Sequence, residues 1–149
     1  MSASPIPPSD RGLSLPHLVK WVEMVTRAAV ERRMGGMAVS GSQLFVLVLL
    51  DEKREATAAE LARMMHITPQ ALTTLLKPLR EARLVAARTD ESHARRLPLR
   101  LTEAGAALLA EARALSPAVE DELLDGFSAA ERTTLKRLLD RIARRFDRA

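Results

Sequence analysis

The sequence predicts a mainly α-helical domain that carries one small β-hairpin. Three observations predict it. Leu and Ala, 24 of each, dominate 149 residues that include three Phe, one Trp and no Tyr, so strong helix formers outweigh the residues that favour strands. Apolar residues recur at three- and four-residue spacing along most of the chain. Strict alternation of apolar and polar residues is confined to one short run, at 97–101. The length suits a single domain.

Residues 1–14 hold Pro5, Pro7, Pro8, Asp10 and Gly12 and read as a flexible tail with no packing face. The single domain then spans 15–149. Leu18, Trp21, Val22, Val25, Ala28 and Ala29 form one face of a helix over about 16–34, which Gly35-Gly36 ends. Ser40 or Ser42 caps a second helix. Its run Leu44 to Leu50 is apolar all round and is expected to be surrounded by protein. Asp51 to Glu55 reads as a charged turn. Thr57-Ala58-Ala59-Glu60 is a capping box that opens a short helix ending near Met65. Thr68-Pro69 combines a capping hydroxyl with proline at the first helical position, and Ala71, Leu72, Leu75, Leu76 and Leu79 make the next apolar face. Two short helices joined in this way form a helix-turn-helix unit.

Two extended segments follow, 84–88 and 97–101. Pro98 cannot donate to a ladder, which predicts an edge strand. The polar loop 89–96 joins them. Thr102 caps a long helix through Leu115 that Ser116-Pro117 should stop. A shorter acidic segment, Val119 to Phe127, comes next. The capping box Ser128-Ala129-Ala130-Glu131 starts a last helix with Leu135, Leu138, Leu139, Ile142 and Phe146 on one stripe.

Charge is unevenly placed. The net +4 comes from 23 basic and 19 acidic residues. Residues 77–100 hold Lys77, Arg80, Arg83, Arg88, Arg95, Arg96 and Arg100 against Glu81, Asp90 and Glu91. Residues 101–130 are acidic and 131–149 basic again. A basic segment spanning a helix end and a hairpin is the footprint of a phosphate-binding face, although an Arg-rich surface held only in solvent has the same count. Joined to a helix-turn-helix, it favours nucleic acid. The last helix is equally basic, but its apolar stripe points to helix–helix packing.

Several classes are excluded or disfavoured. There is no Cys, hence no disulfide, thiolate metal site, cysteine nucleophile or thiol switch. His17, His66 and His93 are too scattered for a metal site. No HExxH, Gly-rich phosphate loop or GxSxG elbow occurs, so no enzyme and no cofactor is expected. The longest apolar run is too short to span a bilayer, and the N-terminal residues lack the pattern of a secretory leader. The expectation is a cytoplasmic protein without a membrane partner.

The order of elements, with Glu60-Leu61-Ala62-Arg63, Ile67 to Leu75, Leu79 to Val85, Asp90 before Arg95, and Leu101-Thr102-Glu103-Ala104-Gly105, resembles the MarR family of transcriptional regulators over roughly residues 16–147. The resemblance implies a winged helix-turn-helix at about 40–101, flanked by dimerisation helices at about 16–34 and 102–147. It also implies a homodimer on a pseudopalindromic operator of double-stranded DNA, with a recognition helix in each major groove and a wing along the adjacent minor groove. Many such proteins are repressors released by a small aromatic or phenolic acid. This chain departs from the family pattern at His66 and Arg83, where Gly is frequent. It also carries Thr74, Pro78 and Ala94 where basic residues are common. Pro78 is expected to kink or end the recognition helix.

Thr68, Gln70, Thr73, Thr74 and Lys77 are the candidate major-groove residues: Gln pairs with adenine, and Thr meets a thymine methyl or a phosphate. Capping and simple solvation are the competing roles. Arg95 is the candidate minor-groove residue, with Asp90 orienting its guanidinium and Arg96 on phosphate. A surface pair that stiffens the hairpin is the competing role. His17, Trp21, Met24 and Phe45 are candidates for an effector site, against core or interface packing. A second functional reading is a helical dimer of the same fold with weak or no DNA binding that acts through protein contacts.

Overall fold

The computed structural model describes residues 12–88 and 97–146. Its elements run α1 (Leu15–Met34), α2 (Gly41–Lys53), α3 (Ala58–Met64), α4 (Pro69–Glu81), β1 (Val85–Ala87), β2 (Leu99–Leu101), α5 (Glu103–Leu123) and α6 (Ala129–Phe146). The mainly helical class with one antiparallel hairpin holds, with Val85 opposite Leu101 and Ala87 opposite Leu99.

The helix starts follow the capping chemistry. The Ser40 hydroxyl accepts from the Gln43 N–H while the Gln43 side chain accepts from the Ser40 N–H, so Ser40 and not Ser42 is the cap. Thr57 with Glu60 and Ser128 with Glu131 close reciprocal boxes. Thr68 and Thr102 accept from Ala71 and Gly105 N–H groups. Hydrogen bonds from the Thr57 and Ser128 groups hold the Glu60 and Glu131 carboxyls below their ordinary range.

Two apolar clusters result. Val46, Leu47, Leu50, Leu61, Leu72, Leu76, Leu79, Val85 and Leu99 are buried where α2, α3, α4 and the hairpin meet. Ala29, Met34, Ala112 and Val119 form a smaller cluster between α1 and α5. At its C-terminal end, Glu122 of α5 accepts from both Arg32 and Arg33, the latter at 2.7 Å.

Four expectations change. The Ser116-Pro117 stop fails: α5 continues to Leu123 with Pro117 inside it. Proline removes one amide bond there, while buried Val119 and partly buried Leu115 and Leu123 hold the helix on α1. The charged turn at 51–55 is in part the last turn of α2, and Arg54 then takes φ 69. The hairpin strand after Pro98 is not a free edge. Ala56 and Leu99 exchange N–H to carbonyl bonds at 3.1 and 2.8 Å on the side away from β1, so the strand is flanked on both sides at Leu99. The run Leu44 to Leu50 is not enclosed within one chain, since Phe45 stands exposed.

Gly105 positions the hairpin. A Cβ there would lie well inside contact distance of the Leu84 carbonyl oxygen, so only glycine lets the start of α5 come this near the root of β1. Thr102 secures the same corner: its N–H donates to Leu84 at 3.1 Å and its hydroxyl to the Arg83 carbonyl at 2.7 Å.

Apolar side chains remain on α1 and α6. Leu15, Leu18, Val19, Val22 and Val25 of α1 are exposed, as are Leu138, Leu139 and Ile142 of α6. The start of α6 is tied to the end of α5 by Arg132–Asp121 and Lys136–Glu120 ion pairs.

Candidate nucleic-acid interface

The helix-turn-helix is built around buried leucines. Leu61 of α3 packs with Leu72, Leu76 and Leu79 of α4. Between the helices, His66 takes φ 52, a conformation that costs any residue with a Cβ. The turn closes through bonds from the His66 N–H to Arg63 and from the Ile67 N–H to Ala62. Thr68 then starts α4 with its hydroxyl on the Ala71 N–H at 3.1 Å.

With the leucines inward, the opposite side of α4 carries Gln70, Thr74, Lys77 and Glu81 at helical spacing. Thr73 and Arg80 flank this strip on one side and Ala71 and Pro78 on the other, and all of them are exposed. The predicted set Thr68, Gln70, Thr73, Thr74 and Lys77 therefore lies on one exposed region, with Thr68 at its start. The threonine hydroxyls face the helix itself: Thr73 donates to the Pro69 carbonyl at 2.9 Å and Thr74 to the Gln70 carbonyl at 3.1 Å. Pro78 does not end the helix, which runs to Glu81. It sits in the last turn, where buried Leu79 and the bond from the Ala82 N–H to the Pro78 carbonyl carry the helix past it.

Glu81 and Arg80 belong to this surface and were missed. The spacing i, i+4, i+7, i+11 from Gln70 would have found Glu81. Among the described residues, Lys77, Arg80, Arg83 and Arg100 have no ion-pair partner, whereas Arg88 lies 3.7 Å from Glu55. Arg83 takes φ 55 where the chain leaves α4 for β1, so arginine occupies the left-handed position and does not avoid it. Asp90, Arg95 and Arg96 lie outside the described residues.

The four effector candidates are not brought together. His17 is exposed, with Nδ1 2.7 Å from the Ser14 hydroxyl. Trp21 is half-buried and Met24 exposed on the same helix, α1. Phe45 of α2 instead faces a cleft of about 1350 Å3 between α6 and the helix-turn-helix, where Arg63, His66, Asp140 and Ile142 also line the walls. His17, Trp21 and Met24 do not line it.

Comparison with known proteins bears on these features. A model of the MarR family matches residues 39–96. The chain is 31% identical over 128 residues to the HTH-type transcriptional repressor Rv2887 of Mycobacterium tuberculosis, covering 86% of this chain and 92% of that one. A repressor of Mycobacterium bovis, Mb2911, matches equally. A solved structure of the Mycobacterium tuberculosis protein in complex with salicylic acid superposes with a TM-score of 0.72 at 30% identity, covering 89% and 98% of the two chains. A mutant MarR of E. coli complexed with operator DNA has the same fold, with a TM-score of 0.75 at 23% identity over 86% and 92% of the chains. An exposed second helix beside a hairpin, on a helix-turn-helix core, defines a winged helix-turn-helix regulator of transcription. The chain belongs to the MarR family. No helix among the described residues is long and apolar enough to cross a membrane.

Proposed function

We propose that this regulator is a homodimeric repressor, acting in the cytoplasm, that binds a pseudopalindromic operator and leaves it when a small aromatic or phenolic acid binds. The carrying observation is the division of the exposed surface. Apolar side chains stand out on α1 and α6, while α4 presents an exposed polar strip beside cations that have no ion-pair partner among the described residues. The first arrangement suits burial against a second copy, because exposed apolar patches mark association sites. The second suits a major groove.

In this reading Thr68, Gln70, Thr73, Thr74 and Lys77 meet bases and phosphates. Arg95 enters the minor groove, oriented by Asp90, and Arg96 neutralises phosphate. His17, Trp21 and Met24 of α1, with Phe45 of α2, contribute to an effector site that only assembly of two chains completes. The salicylic acid complex of the 30% identical relative supports the effector class.

The test is a salt titration of binding to duplexes from the chain's own promoter region. Affinity should fall linearly in log–log form as phosphate contacts are lost, and salicylate should release the duplex. No binding at low salt overturns the operator reading. Binding that salicylate and related acids leave unchanged overturns the effector part alone.

A further inference from the structure

We infer that α4 reads thymine by its 5-methyl group through Thr73 and Thr74, with Gln70 on adenine, so that the operator half-site is built on A·T pairs where these residues reach it. The inference rests on the proposed operator binding and specifies its chemistry.

The hydrogen-bond pattern carries it. Each threonine hydroxyl has one proton to donate. That of Thr73 goes to the Pro69 carbonyl and that of Thr74 to the Gln70 carbonyl. Both side chains are exposed, and with the hydroxyl turned back along the helix, the outward group is the γ-methyl. The Thr68 hydroxyl is engaged as the helix cap. Ala71 and Pro78 add only apolar surface.

The edge of guanine in the major groove offers acceptors, N7 and O6, and needs a donor opposite. Neither threonine has one left. Thymine offers a methyl group, which an apolar contact suits. Gln70 is the one side chain in the first turn and a half of α4 with amide donor and acceptor both uncommitted among the described residues, the pair that adenine N7 and N6 require. The first cation on the strip, Lys77, lies seven residues beyond Gln70, about 10 Å along the axis. A charged donor for guanine therefore stands only toward the far end of the helix, near the hairpin, and Gln70 is the one uncommitted donor before it among the described residues.

The test starts from duplexes of about thirty base pairs with a randomised centre, selected with the full chain. Enriched half-sites should carry thymine and adenine at the core. Each core thymine is then replaced by deoxyuridine, which removes only the 5-methyl group. Losing one buried methyl should weaken binding about fourfold. Thr74→Val keeps the methyl and should bind within twofold of the parent, still preferring thymine to uracil. Thr74→Ser should bind the two alike at the position that Thr74 reaches and keep the preference for thymine at the position of Thr73. Circular dichroism checks that both variants remain helical. Half-sites with guanine at the core, equal binding of thymine and uracil duplexes by the parent, or loss of binding by folded Thr74→Val would each overturn the inference and leave operator binding standing. No enrichment at low salt would overturn operator binding itself.

Discussion

Replacing Arg83 by glycine should stabilise the protein, although it removes a large side chain. Arg83 sits at φ 55 between α4 and β1. Its side chain is exposed and has no ion-pair partner among the described residues. What the fold uses is its carbonyl, which accepts from the Thr102 hydroxyl at 2.7 Å, and glycine keeps that carbonyl. The left-handed conformation costs a residue with a Cβ about 1–2 kcal/mol. Glycine relieves this but loses about 0.5–1 kcal/mol more backbone entropy on folding. The balance favours Arg83→Gly by roughly 0.5–1 kcal/mol, or about 1–4 °C in Tm for a chain of this length. Urea denaturation followed by helical circular dichroism measures it, with both proteins at one protomer concentration. Arg80→Gly is the control: Arg80 lies inside α4, so glycine there should destabilise by about 1 kcal/mol. An Arg83→Gly protein no more stable than its parent would refute the strain argument.

Three further outcomes are expected. Leu138→Asp sets a charge on the exposed apolar stripe of α6; it should cost dimerisation about 3 kcal/mol or more, and a dimeric mass by light scattering at micromolar protein would show that this stripe is not the interface. Gly105→Ala forces a methyl group against the Leu84 carbonyl and should destabilise by about 1–3 kcal/mol in the same urea assay. The Glu122 carboxyl is held below its ordinary value of 4.5, first by hydrogen bonds from Arg32 and Arg33. Its folded pKa lies below the unfolded one, so its contribution is complete above pH 4.5 and is lost as pH falls through the lowered value. Glu122→Gln should remove that part of the acid sensitivity, and pH-dependent melting curves of unchanged slope below pH 4.5 would contradict it.

The helix starts were legible because a cap is local: Thr57, Thr68, Thr102 and Ser128 each act within three residues. The strip on α4 was legible for a related reason, since buried leucines at helical spacing fix the opposite face. What failed depends on distant packing. Pro117 reads as a stop by sequence, but α5 lies against α1, and Val119 buried beyond the proline keeps the helix going. Ala56 gives no strand signal, because one residue has no period; its pairing with Leu99 exists only once α2 and α3 have placed it beside the hairpin. The left-handed turn at Arg83 was foreshadowed by the glycine frequent there in the family, and Arg54 had no such guide. The effector candidates scatter in the single chain, and on the proposed function the reason is one of scale: a site completed by two chains has no geometry in one.

The placement of α5 explains how assembly and recognition can share one element. Its first residues are fixed to the hairpin root by Thr102 and by the close approach of Gly105 to Leu84. Midway, Arg113 meets Asp51 of α2 at 2.8 Å. Its far end is fixed to α1 by Glu122 with Arg32 and Arg33. A helix anchored at both ends transmits displacement and does not absorb it, because its backbone bonds stretch little along the axis. On the proposed function, a shift of α1 would pass along α5 to the hairpin and, through the bond from the Leu84 N–H to the Leu79 carbonyl, to α4. In a two-fold dimer that shift doubles across the axis and changes the distance between the two recognition helices. Operator half-sites lie a fixed helical turn apart, so a change in that distance alone weakens binding, with no residue of α4 altered. On the proposed function, effector chemistry at α1 and base chemistry at α4 are thus separable by mutation, with α5 as the element between them.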